Sequence, residues 1–172
     1  MKRYVFFGAC ALAFLGGLVT GKSAFASDDS EVRCLAKNVY FESRNQSLRG
    51  MIAVALVTMN RVADSRFPNS VCEVVYQGPV RESWKTKDTF YPIRHRCQFS
   101  WYCDGKADDV LPQDKDLYTL ILAMSFKIYH DSFYDFTKGA THYHAHYVQP
   151  EWASTKTMTY TVGDHIFYRW EK

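Results

Sequence analysis

The chain has 172 residues, of which 21 are basic, 18 acidic and 16% aromatic, for a formal net charge of +3. Lys2, Arg3 and Lys22 fall in the first 26 residues, which hold no acid, so the remainder carries 18 charges of each sign. That balance excludes nucleic-acid binding driven by phosphate attraction, and the length suits one compact domain with a proper core.

Lys2 and Arg3 lead into an apolar run from Tyr4 to Val19, and Ala24-Phe25-Ala26 precedes a polar Ser-Asp-Asp. This is the pattern of a secretory signal peptide over residues 1–26, leaving a single domain over 27–172. The run is short for a membrane span, so no membrane attachment is expected after cleavage; an uncleaved anchor is the alternative. Cys10 leaves with the leader. Cys34, Cys72, Cys97 and Cys103 remain, and an even count in an exported chain favours two disulfides. Of the three connectivities, Cys97 with Cys103 closes a short aromatic loop, and Cys34 with Cys72 ties the first helix to the segment after the second. A zinc site is the competing use, but no C-x2-C knuckle is present.

Val32, Leu35, Ala36, Val39 and Tyr40 recur at the spacing of a helix with one buried face. Glu42 falls near the edge of that face, where core meets cleft. A carboxyl there loses hydration and its pKa rises, as a general acid near neutral pH requires; a solvated surface glutamate is the alternative. Met51 to Val62 is apolar on nearly every side, which predicts a central helix, with Ser47 as its N-cap and Gly50 allowing close backbone approach. Phe67-Pro68 marks a loop, and Val71 to Tyr76 reads as a helical turn. From Gln77 to Arg96 no period emerges, which predicts a long loop lining a groove. Leu117, Leu120, Ile121, Met124 and Ile128 define an amphipathic helix over 114–129. Thr157 to Thr161 and His165 to Trp170 alternate around Gly163-Asp164, the signature of a hairpin.

Two further stretches carry chemistry. His142, His144 and His146 alternate, so an extended backbone turns all three to one side; this permits a zinc site, sugar contacts or structural roles. Gln98-Phe99-Ser100-Trp101 combines an amide, a hydroxyl and aromatic rings, which suits saccharides, whereas a packed disulfide loop is the plainer use. No G-x-S-x-G, P-loop or G-x-G-x-x-G occurs.

The stretch Cys34-Leu35-Ala36-Lys37-Asn38-Val39-Tyr40-Phe41-Glu42 precedes Gly50, Ala53-Val54-Ala55, Asn60-Arg61-Val62, Phe67-Pro68, Val71 to Tyr76 and Gln98-Phe99-Ser100. With Ala140-Thr141-His142-Tyr143, Pro150-Glu151-Trp152 and Gly163 to Phe167, this order resembles the cell wall hydrolase family of the spore-cortex-lytic enzymes over residues 32 to 170. The resemblance implies a lysozyme-like α+β fold acting on peptidoglycan glycan strands; with the pattern above, a mainly helical domain with a small C-terminal hairpin is expected, as a monomer, and the leader adds a periplasmic or cell-envelope location. It also implies Glu42 as catalytic acid; Tyr40, Gln98, Phe99, Ser100, His142 and Tyr143 are the expected substrate contacts, and no cofactor or metal is expected. Glu73, Asp104, Glu151 and Asp164 could each be a second acid, but none has a supporting spacing. A single-acid lytic transglycosylase is therefore expected to cut between N-acetylmuramic acid and N-acetylglucosamine. A zinc-dependent N-acetylmuramoyl-L-alanine amidase and a non-catalytic peptidoglycan-binding module are the rivals.

Overall fold

The computed structural model describes residues 22–131 and 133–171. The expected leader lies outside these residues except for 22–26, which belong to the first helix.

Helix α1 (Lys22–Ser43) buries Val32, Leu35, Ala36, Val39 and Tyr40, as its periodicity requires. α2 (Leu48–Val62) is apolar around its circumference because it has two neighbours. Met51, Val54, Ala55 and Leu56 join the main core with α1, α3 (Val71–Val75) and α4 (Lys115–His130). Ala53 and Val57 face the opposite way, into a second cluster with Ala140 and Phe167. Each fully buried Val, Leu, Met or Phe contributes about 1.5–3 kcal/mol, and α2 feeds both clusters. Ser47 caps α2 by accepting from Gly50 N–H at 3.3 Å.

α3 has only five residues and is held from outside. Ser70 caps it, Glu31 of α1 accepts from the Val71 and Cys72 N–H groups at 2.6 and 3.1 Å, and a disulfide joins Cys34 to Cys72. A second disulfide joins Cys97 to Cys103.

The segment expected as one long loop contains a small hairpin, β1 (Val80–Glu82) with β2 (Phe90–Pro92). Its two three-residue strands are too short for a period-2 pattern, which is why the sequence does not announce them. The C-terminal hairpin, β4 (Thr157–Val162) and β5 (His165–Arg169), gains a third strand, β3 (His142–Ala145), in the order β3-β5-β4. Tyr143 lies opposite Phe167 in that register. The left-handed turn at Gly163 (φ +54°) leaves room for Gln46, whose carboxamide donates to Asp164 Oδ2 at 2.9 Å and accepts from Asp164 N–H at 3.1 Å. The turn after Glu42 is thereby fastened to the sheet. Among the described residues no helix is long and apolar enough to cross a membrane.

Candidate active site

Glu42 occupies the penultimate position of α1, half-buried. The helix stops there because Ser43 is fully buried with its hydroxyl turned back on Val39 O at 2.8 Å, and Gln46 N–H closes a turn on Ser43 O at 2.8 Å. Two hollows meet at its carboxyl. One is a cleft of about 440 Å³ whose walls include Phe41, Ser100, Trp101, Asp104, Asp108 and Leu111. The other is a polar pocket of about 150 Å³ formed by Glu42, Arg61, Gln98, Phe99, Ser100 and Tyr143.

Tyr143 Oη donates to Glu42 Oε2 at 2.8 Å. Burial pushes the Glu42 carboxyl above its ordinary range, while the Tyr143 hydrogen bond and the Arg61 charge pull it down. Burial prevails over both. The Tyr143 phenol is itself raised well above its usual value, first by burial and then by the nearby Glu42 charge, so it remains a donor at any working pH. Because Oε2 accepts from Tyr143, Oε1 is the carboxyl oxygen left free of that bond and placed to carry a proton.

The loop bearing Gln98 and Ser100 is positioned by its neighbour Trp101. The Trp101 ring is buried, its Nε1 donates to Asn38 Oδ1 at 3.0 Å, and Asn38 donates to Thr58 Oγ1 at 3.1 Å. This buried polar chain joins the loop to α1 and α2. Phe41 stacks on Trp101 at 4.7 Å, forming an aromatic wall of the cleft.

Of the residues singled out in the sequence, Glu42, Gln98, Phe99, Ser100 and Tyr143 share the small pocket. Tyr40 borders the cleft but is completely buried, with its hydroxyl donating to Asp114 Oδ2 at 2.7 Å and accepting from Leu111 N–H at 3.1 Å. Its role is to hold the rim. Phe99 is 2% exposed and lies beneath the Arg61 guanidinium at 5.0 Å. His142 belongs to neither hollow, since strand alternation sends it away from Tyr143. It packs on Trp152, Trp170 and Phe67, and burial with three nearby cations lowers its pKa to about 4.

Both ring nitrogens of His144 are engaged, with Ala145 O at 2.9 Å and the Tyr168 hydroxyl at 3.0 Å. His146 faces Asp164 at 3.8 Å. Among the described residues no group of three or more His, Cys, Asp or Glu side chains converges as a cation-binding set. Asp104 borders the cleft with Asp108 and Asp109. Glu73 pairs with Ser70, Glu151 is exposed, and Asp164 is occupied by Gln46, so none of these three lines either hollow.

Sequence reasoning missed Arg61. It is 5% exposed, its Nε donates to Thr141 O at 2.7 Å, and burial draws its pKa below the ordinary arginine value. The signal was available: a cation in the last turn of a largely apolar helix needs a buried partner or a function.

A sequence profile for a family described as Cell Wall Hydrolase matches residues 45–168, a span that begins just after Glu42. The spore cortex-lytic enzyme of Bacillus subtilis (strain 168) is 39% identical over 49 residues, 28% of this chain and 16% of the relative. That of Bacillus cereus is 40% identical over 48 residues, 28% of this chain and 18% of the relative. The aligned segments thus span under a fifth of these relatives' own length. The fold is shared with the catalytic domain of the Bacillus cereus SleB protein, at 24% identity and TM-score 0.55 over 81% of this chain and 89% of that one. It is also shared with the catalytic domain of the germination-specific lytic transglycosylase SleB from Bacillus anthracis, at 22% identity and TM-score 0.57 over 86% and 98%.

Proposed function

Since the chain belongs to the cell wall hydrolase family, whose profile covers most of its length, we propose that it cuts peptidoglycan glycan strands between N-acetylmuramic acid and N-acetylglucosamine as a lytic transglycosylase, with Glu42 as its catalytic acid. The observation that carries this reading is the Glu42 carboxyl, gripped on Oε2 by Tyr143, bordering an aromatic-walled cleft and pushed by burial toward its protonated form.

Glu42 Oε1 delivers its proton to the glycosidic oxygen as the bond from that oxygen to muramyl C1 breaks. The carboxylate so formed is stabilised by the Tyr143 hydroxyl and the Arg61 charge. It then takes the proton of the muramyl C6 hydroxyl as that oxygen attacks C1, closing a 1,6-anhydro ring and restoring the acid. No second carboxylate and no water are consumed. The exported state and envelope location inferred from the leader agree with such a substrate, and a monomer suffices because one chain supplies every group in the sequence of steps.

A hydrolytic route is favoured by one observation, the carboxylates of Asp104, Asp108 and Asp109 on the cleft rim. Burial raises the Asp108 carboxyl, whereas a base or nucleophile for that route works ionised. Mass spectrometry of fragments released from purified peptidoglycan separates the two. Glu42-dependent 1,6-anhydro muropeptides are expected. Reducing ends would replace this reading with hydrolysis, and free stem peptides surviving Glu42→Gln would replace it with an amidase.

A further inference from the structure

The small pocket beside Glu42 contains a cation that the folded chain leaves incompletely satisfied. Arg61 spends Nε on Thr141 O and lays its guanidinium over Phe99 at 5.0 Å and Phe67 at 5.4 Å. Among the described residues, its buried Nη1 has no hydrogen-bond partner. Stranding a charged donor at 5% exposure is unfavourable, and such a group in a native fold calls for an acceptor from outside the chain.

The pocket's size and lining indicate which acceptor. Its volume of about 150 Å³ accommodates an amide-sized substituent. Phe99 offers an apolar wall to a methyl group, Arg61 a donor to a carbonyl oxygen, and Gln98 and Ser100 oxygens that accept an N–H. We propose that Arg61 is a substrate-binding residue whose Nη1 donates to the carbonyl oxygen of a 2-acetamido group on the sugar held against Glu42.

This inference rests on the reading of Glu42 as the glycan-cleaving acid. The acetamido substituent sits on C2, one bond from the anomeric carbon, so anchoring it sets the glycosidic oxygen against Oε1. The same cation favours the carboxylate that Glu42 becomes after donating its proton. One residue thereby couples recognition of the N-acetyl group to the acid step.

Glycan strands freed of peptide, in N-acetylated and N-deacetylated forms, test the assignment. In a titration of the Glu42→Gln protein monitored by NMR of the Arg61 guanidinium, acetylated strands shift the Arg61 signal and deacetylated strands at equal concentration do not. An equal response to both, or none to either, overturns the proposal. In turnover, Arg61→Gln loses about 10- to 100-fold in kcat/KM on acetylated strands, the scale of one charge-assisted hydrogen bond. The parent protein loses a similar factor when the strands are deacetylated, and the variant loses little more. Losses that multiply instead would overturn it. If Arg61→Gln does not fold, the titration decides alone. Full turnover by Glu42→Gln would defeat the assignment of the acid while leaving the titration result standing, so the two failures are distinguishable.

Discussion

The two sides of β3 treat neighbouring titratable groups in the same physical way and put them to different uses. On one side Tyr143 reaches Glu42, and burial raises that carboxyl's pKa above its ordinary range. On the other side burial holds His142 neutral by lowering its pKa to about 4, within a cluster of Trp152, Trp170 and Phe67. Desolvation disfavours whichever form is charged, so both pKa values move toward the neutral form, one upward and one downward. The difference between them is access: Glu42 borders a cleft of about 440 Å³, whereas His142 lines neither of the hollows that meet at Glu42. A perturbed pKa therefore points to chemistry here only when an opening accompanies it.

The strongest way to break this contrast is Glu42→Gln. Turnover of peptidoglycan should fall by about 10²–10⁴-fold, the scale of a lost general acid, while the melting temperature at neutral pH rises. Linkage sets the sign. A carboxyl with a raised folded-state pKa binds more protons folded than unfolded, so its contribution falls as pH rises from the unfolded value through the folded one. Glutamine does not titrate and can still accept from Tyr143. Thermal melts across pH, run beside turnover assays, check both halves.

Tyr143→Phe should cost less, about 10- to 100-fold in kcat, since it removes one hydrogen bond to a charged intermediate. Its sharper signature is in the pH profile. The Tyr143 bond lowers the Glu42 pKa, so removing it raises that pKa further and moves the alkaline limb of kcat to higher pH. An alkaline limb that stays put or moves to lower pH would show that Tyr143 does not act through the Glu42 carboxyl.

The smallest effect is expected across the strand. His142→Leu should leave kcat nearly unchanged while flattening the acid side of the stability curve. A histidine with folded pKa about 4 binds its proton in the unfolded chain first, so stability falls as pH drops from about 6.5 to about 4. Because the ring is only half-buried, the recovered stability is on the order of 1–2 kcal/mol. Chemical denaturation at a series of pH values measures it. A large loss of kcat in this variant would instead place His142 in the reaction.

The family motifs and long-period patterns were legible before any fold was known. The 3.6-residue spacing of α1, α2 and α4 and the alternation of β4 and β5 are local properties that each segment carries by itself. The edge position of Glu42 on α1 could be read from the same spacing. β1 and β2 could not, because three residues are too few for a period. Arg61 left only a trace there, a cation in the last turn of an apolar helix, and its partners are set only when α2 turns it toward residues far along the chain.

The sequence alone determined which segments would be helices, where the cysteines and the aromatic loop beside them lie, and that residues 142–146 alternate. Only the tertiary structure decided which face of that alternation meets Glu42. Alternation assigns residues to two opposite sides of a strand without saying what lies on either. The choice was made when Phe167 and Ala140 packed against Ala53 and Val57 of α2, fixing the sheet so that Tyr143 points to the carboxyl and the histidines point away.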